Sequence, residues 1–321
     1  MANDKTRYGM VCAIGAQVIW GLFPIYVDLL RSIDAVAFVA HRAIWSFVFL
    51  LSVFLVAKFV KRPWLPSFQE LRFALGSRRI LTSCAIAAIL IAINWIGFVW
   101  AVNHDHKVDA SLGYYICPQV VVLLGVVFLG ERLNLIQWVA VGLTVIGVGY
   151  MVQTSAGMPS ISLAIAFSFG FYALVKKKAK LSALSGLTFE TGCLLIPAIA
   201  FLAYHTGYID VPFVNANDVV GQVEEVPLFA NTWWLSLLLV GSGICTVAPL
   251  ALYATAVKHI PLATIGLLQF IGPTIQFFIG VFLFKESFDY TRLIGFLVVW
   301  TGVVLYLYAL RKPKPSSRGR S

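Results

Sequence analysis

Charge is what this sequence has little of. Only 12% of its 321 residues are Asp, Glu, Lys or Arg, and just 14 are acidic. A soluble domain of this length needs a more densely charged surface to stay dissolved, which excludes a water-soluble fold. Cysteines are few as well: Cys12, Cys84, Cys117, Cys193 and Cys245 lie inside apolar stretches without metal-ligand spacing. They read as small buried hydrophobes, and no metal or other cofactor is expected. No Walker A sequence is present, which argues against direct ATP drive. The first apolar run, from Gly9 to about Leu30, is not followed by a small-residue cleavage site, so it reads as a retained anchor. Linkers and low-complexity segments are missing too, apart from a short Pro/Ser/Arg-rich tail after Ala309.

Apolar runs are what the chain has in quantity. Hydrophobic residues make up 60% of it, and the mean hydropathy is +0.88. A membrane span needs about 20 mostly apolar residues to cross about 30 Å of hydrocarbon. Ten segments qualify: 9–30, 35–57, 80–102, 110–129, 135–152, 159–175, 184–204, 233–257, 262–284 and 292–310. The expected fold class is therefore an all-α integral membrane protein of ten transmembrane helices. The net charge of +10 does not indicate a nucleic-acid partner, because the basic residues cluster at the ends of the apolar runs. The expected partners are the lipid bilayer and a small-molecule substrate, with monomer and homodimer both open.

Orientation follows from Lys and Arg. With the N-terminus inside, nineteen basic residues fall on the cytoplasmic side and four outside, while Arg42 lies within a span. The longest outer loop, 205–232, has no Lys or Arg and carries Asp210, Asp218, Glu224 and Glu225. The positive-inside rule then predicts a multi-pass protein of the inner (plasma) membrane with both termini cytoplasmic.

The chain also repeats itself. Ala101–Val148 aligns without a gap onto Ala256–Val303 at an offset of 155, with eleven of 48 positions identical. Among them are Pro118/Pro273, Gly125/Gly280, Glu131/Glu286 and Gly147/Gly302. The first span matches the sixth at an offset of 149, placing Gly21 over Gly170. Five spans per half is an odd number, so the halves, 1–155 and 156–310, are expected to be inverted, with 311–321 a basic cytoplasmic tail. Inverted repeats are the architecture of many secondary transporters, whose substrate sites lie near the midplane between the halves. Channels and membrane enzymes can also be duplicated.

Several stretches carry a family resemblance in one ordered series. They are Trp20-Gly21 with Pro24, His41-Arg42 through Trp45-Ser46, Asn94-Trp95, and Trp100-Ala101-Val102-Asn103. Ala110-Ser111-Leu112-Gly113-Tyr114, Gly130-Glu131-Arg132, Gln137-Trp138 and Phe167-Ser168-Phe169 come next, then Glu190-Thr191 and Gln269 with Ile271-Gly272-Pro273-Thr274. On these residues the chain resembles the RarD branch of the EamA-type drug/metabolite transporter superfamily. The resemblance implies a ten-helix drug/metabolite transporter fold with a central cavity, and a permease or exporter of metabolites or drugs.

Ionisable groups inside spans are costly and are candidates for function by default. His41 and Arg42 lie about seven residues into the second span and Glu190 about seven into the seventh, each roughly 10 Å from the face where its helix begins. Arg42 and Glu190 at symmetry-related places can bind a polar or zwitterionic solute between them. The structural alternative is that Arg42 pairs with backbone carbonyls or with Glu190. Asn94, Trp95, Tyr114 and Gln269 complete the substrate-binding candidates, with interhelical hydrogen bonding as their alternative use. Pro118 and Pro273 are hinge candidates, since each removes a helical hydrogen bond. Spans three, four, eight and nine are expected to line the cavity together. The reading that follows is a secondary transporter of a small organic metabolite or drug working by alternating access, not an enzyme. A membrane enzyme is the runner-up; its only candidate cluster is His104, Asp105, His106 and Asp109, whose spacing fits no metal motif.

Overall fold

The structure is a computed structural model that describes residues 2–60, 67–103, 107–153, 159–205, 233–285 and 290–311. The outer loop 206–232, the cluster His104 to His106, Glu286 and the basic tail lie outside the described residues. In chain order the helices are α1 (Ala2–Asp28), α2 (Ala35–Val60), α3 (Phe68–Leu75), α4 (Arg78–Asn103), α5 (Lys107–Leu129) and α6 (Leu135–Gln153). They continue as α7 (Pro159–Lys178), α8 (Ala183–His205), α9 (Trp233–His259), α10 (Leu262–Leu268), α11 (Ile271–Phe282) and α12 (Tyr290–Arg311). Ten segments are long and apolar enough to cross a membrane, and α10 with α11 form one of them. Their outward faces carry Leu55, Ile86, Val127, Ile196, Leu237 and Leu297, all exposed. That inverts the soluble pattern, because lipid rather than water is the solvent there.

Local signals explain the helix ends. Asp34 caps α2, its Oδ1 accepting from the Val36 and Ala37 amides at 2.9 Å each. At the end of α5, Gly130 takes a left-handed φ of +65°, and the Glu131 amide returns to the Gly125 carbonyl at 3.1 Å. Lys285, the residue 155 positions later, takes the same left-handed turn at φ 58°. Ser67 caps the short α3 by accepting from the Gln69 amide.

Two expectations need correction. The first helix begins at Ala2 rather than Gly9, so its polar first turns are helical too. The ninth span is not one helix: it breaks at Gln269 and Phe270 between α10 and α11. Pro273 has no amide to return to the Gln269 carbonyl, and the chain turns there. Pro118 removes the equivalent bond to Tyr114, yet α5 runs through it unbroken. A third proline, Pro24, frees the carbonyl of Trp20, and the Gln276 side chain supplies the missing donor at 3.0 Å.

The two halves pack with the symmetry that their sequences share. α6 and α12 cross where Cβ atoms on Gly147 and Gly302 would lie 2.8 Å from the Gly295 carbonyl and 2.6 Å from the Ala140 carbonyl, respectively. Gly147 and Gly302, and likewise Ala140 and Gly295, are 155 residues apart, so each contact is the other's image. Gly21 of α1 receives Ile275 of α11, and Gly170 of α7 receives Val120 of α5. Those pairs are related by the offsets of 149 and 155. Each half therefore lays its first helix on the other half's fourth span, and the halves interlock around one core.

Candidate functional site

The caps that start α2 and α8, Asp34 and Ser182, fix an offset of 148 between these helices. Arg42 and Glu190 are then equivalent positions, as the sequence suggests. Arg42 sits half-buried at the crossing of α1, α2, α4 and α9. Its Nε–H donates to Thr246 Oγ1 at 3.0 Å. The guanidinium lies over the rings of Trp95 at 4.8 Å, Phe23 at 4.9 Å and Phe38 at 5.7 Å. Each ring face attracts the cation by about 0.5–2 kcal/mol, which offsets the cost of a charge at this depth. Among the described residues no carboxylate pairs with Arg42, and its two Nη groups, which carry four of its five N–H donors, have no hydrogen-bond acceptor. The phenols of Tyr26 and Tyr114 lie within electrostatic reach of the guanidinium, and Tyr26 donates to the Leu238 carbonyl.

Glu190 has the opposite arrangement. It is 3% exposed, as is the Lys176 side chain, whose Nζ stands 2.6 Å from Glu190 Oε1. Its Oε2 accepts from the Tyr172 hydroxyl at 3.0 Å. Tyr172 is Phe23 shifted by 149 residues, so both ionised groups meet an aromatic at the same place in their half. A ring face serves the cation and a hydroxyl the anion. The structure therefore does not bring Arg42 and Glu190 together: Arg42 is held by Thr246 and aromatic faces, and Glu190 by Lys176. Sequence reading missed Lys176 because it sits in the run Lys176–Lys180, which looks like a solvated helix end. Two residues before the end of α7, its side chain points into the bundle.

Aromatic packing fills the space between the two ends. Trp20 contacts Phe169 and Tyr253 at ring separations of 5.8 and 5.5 Å, and Phe169 contacts Tyr172 and Tyr253 at 5.6 and 5.2 Å. Gln269, at the helix break, donates through Nε2 to the Tyr253 hydroxyl at 2.9 Å, while its buried Oε1 has no partner among the described residues. Tyr114, its counterpart, is half-buried with its ring 5.8 Å from Phe98. Asn94 bonds the Ile165 carbonyl at 3.0 Å and ties α4 to α7. His41 is buried, with no partner for Nε2 among the described residues. Trp95, Tyr114, Thr246 and Gln269 come from the third, fourth, eighth and ninth spans, and α1 and α2 add Phe23 and Phe38, which sequence reading passed over as ordinary apolar positions.

Polar links tie the helix ends together on the Glu190 side. Glu131 accepts from the Leu262 and Ala263 amides at 2.7 and 2.9 Å, capping α10 from outside its own strand of chain. Lys177 donates to the Ile260 carbonyl at 2.7 Å, and Lys258 to that of Leu181. Glu70 of α3 accepts from the Ser182 amide at 2.5 Å, from Ser182 Oγ at 2.7 Å and from Ser185 Oγ at 2.5 Å. Burial alone raises the pKa of this carboxyl, but the hydrogen bonds from Ser185 and Ser182 outweigh it and hold the group below its ordinary value.

Comparison with known proteins bears on what this arrangement does. Residues 7–153 match the model of the EamA-like transporter family. The chain is 38% identical over 318 residues to the uncharacterized transporter YojE of Bacillus subtilis, covering 99% of both chains. It is 36% identical over 319 residues to the protein RarD of Streptomyces exfoliatus, covering 99% of this chain and 94% of that one. A crystal structure 14% identical in sequence superposes with a TM-score of 0.66 over 95% of this chain and 99% of the other, a likeness of fold alone.

Proposed function

The chain belongs to the RarD branch of the EamA-type transporter family and is a multi-pass membrane transporter, and from that premise we propose that it moves a small organic solute by alternating access. The observation that carries the solute-binding role is the state of Arg42. A guanidinium inside the bundle, boxed by three aromatic rings, has no acceptor for its Nη donors among the described residues. Such a fork suits a carboxylate or another planar oxygen acceptor, and the ring faces suit a flat apolar body. Trp95 and Tyr114 border this site. His41, Asn94 and Gln269 belong to the packing that positions it.

In this reading the inverted halves, 1–155 and 156–310, rock about the aromatic centre. Pro118 and the break before Pro273 are the flexible points in equivalent spans. Both termini face the cytoplasm and the protein resides in the inner membrane, so the Glu190 end is the cytoplasmic one. Opening it to that side separates the polar links made by Lys258, Lys177, Glu131 and Glu70.

The test is solute flux in vesicles carrying purified protein. Arg42→Ala is expected to remain folded and inserted, because no partner charge is left behind, yet to lose transport. Arg42→Lys is expected to be impaired too, since a point charge cannot reproduce a planar fork. Wild-type flux in well-folded Arg42→Ala overturns the binding role.

A further inference from the structure

The helix ends on the Glu190 side enclose a cavity of about 220 Å³ between α4, α7, α8 and α9. Five cations line it, Arg79, Lys176, Lys178, Lys180 and Lys258, against the single carboxylate of Glu190. Their burial is graded. Arg79, Lys178 and Lys180 are exposed, Lys258 is half-buried, and Lys176 with Glu190 is buried. The cations therefore run from the mouth to the floor. Only Lys176 has a carboxylate partner among the described residues. Lys258 donates to a neutral carbonyl, that of Leu181, and no carboxylate touches it among the described residues, though Glu70 and Glu190 act on it at longer range. Positive charge on the cytoplasmic side of a membrane protein is ordinary at helix ends. A half-buried ammonium inside a cavity, beside the charge of Lys176, is not accounted for by that rule, because desolvation and the like charge oppose it, and a bound anion would offset both. A cleft lined by one sign of charge with apolar walls focuses potential and concentrates counter-ions.

We propose that this cavity is a binding site for a phosphate-type anion, with Lys258 as its central ligand and Arg79, Lys178 and Lys180 as the attracting rim. A phosphate group supplies several acceptor oxygens, enough to bridge Lys258 and the rim at once. Glu190 stands opposite and keeps Lys176 occupied. An anion that reaches the floor competes with Glu190 for Lys176, which couples occupancy of the cavity to the ion pair that joins α7 to α8. The role as an entry vestibule rests on the transporter reading; the binding site does not.

The test is a binding measurement. Purified full-length protein in neutral detergent is heated with inorganic phosphate, with glycerol phosphate, and with chloride at matched ionic strength. In a parallel arm it is placed in nanodiscs of neutral lipid with and without phosphatidylglycerol. Saturable stabilisation by phosphate or glycerol phosphate, not by chloride, and at least tenfold weaker in Lys258→Gln, is the expected result. Lys258→Gln keeps a donor for the Leu181 carbonyl, and Lys285→Gln serves as a control that removes a cation elsewhere. Stabilisation confined to phosphatidylglycerol discs and lost in Lys258→Gln assigns the same phosphate chemistry to a lipid headgroup. No stabilisation in either arm, or equal stabilisation of wild type and Lys258→Gln, overturns the site. Solute flux in vesicles separates the two readings: flux without anion binding removes the site and leaves the transporter, and binding without flux does the reverse.

Discussion

Replacing Glu190 with Gln removes one charge from a pair that has almost no contact with solvent. The side chain keeps its shape and still offers an oxygen to the Tyr172 hydroxyl, so the change isolates the charge. Lys176 is left with its ammonium 3% exposed and no carboxylate beside it. Breaking a buried ion pair from one side costs about 3–5 kcal/mol. Insertion scales put a lone Lys at the centre of a membrane helix at about 2.5–3.5 kcal/mol. The two scales overlap near 3 kcal/mol, which is the expected loss for Glu190→Gln. Lys176→Met is expected to cost a similar amount, since it strands the carboxylate with one hydroxyl as its donor. The double variant Lys176→Met/Glu190→Gln removes both charges and is expected to recover most of either loss, a coupling of about 2–3 kcal/mol. Denaturant unfolding in detergent followed by tryptophan fluorescence measures all four forms. Single variants as stable as wild type, or losses that simply add in the double variant, would refute a structural ion pair at this place.

Three further outcomes follow from the geometry. Gly302→Ala places a methyl 2.6 Å from the Ala140 carbonyl and is expected to cost about 1–3 kcal/mol by forcing α6 and α12 apart; Gly142→Ala, with nothing within 4 Å, is the neutral control in the same unfolding assay. Lys285→Gly relieves a left-handed backbone at φ 58° and is expected to stabilise by up to about 1 kcal/mol, whereas Gly130→Ala at φ 65° loses a similar amount. Glu70 binds protons more weakly folded than unfolded, so its contribution to stability is complete above its ordinary value of 4.5 and fades as pH falls below it. Glu70→Gln is therefore expected to flatten the acid limb of a stability–pH profile, and an unchanged limb counts against the link to Ser182 and Ser185.

The membrane spans were legible because length and apolarity decide them. Eight-residue α3 was not, because its signal is local. Ser67 and Glu70 have the spacing of a capping box, but they follow residues that read as a charged connection. The break in the ninth span was hidden for a different reason. Pro118 and Pro273 present the same proline to two helices, and only tertiary packing decides which one turns. The equivalence of Arg42 and Glu190 was readable from their distance to the start of each helix. Their partners were not, since Thr246 lies 204 residues from Arg42, and nothing in the run Lys176 to Lys180 distinguishes its first lysine. Long-range partners in a bundle are set by helix rotation, which an almost uniformly apolar sequence records faintly.

The two halves differ most where they are most alike. In each, an ionised residue eight positions past the cap faces the aromatic at one shared position of the first helix of its half, Phe23 or Tyr172. Inverted symmetry puts these slots toward opposite ends of the bundle. One oxygen separates the aromatics and matches them to the sign of charge: a bare ring face for Arg42, a hydroxyl for Glu190. A second difference decides what each slot can do. The second half carries Lys176 where the offset of 149 places Val27 in the first. Glu190 is thereby neutralised inside the protein, and its slot holds α7 to α8. Arg42 has no such partner among the described residues, and its one side-chain hydrogen bond there is to Thr246. The sequence carries two equivalent places for charge, and a single lysine pairs one of them within the protein while the other has no carboxylate among the described residues.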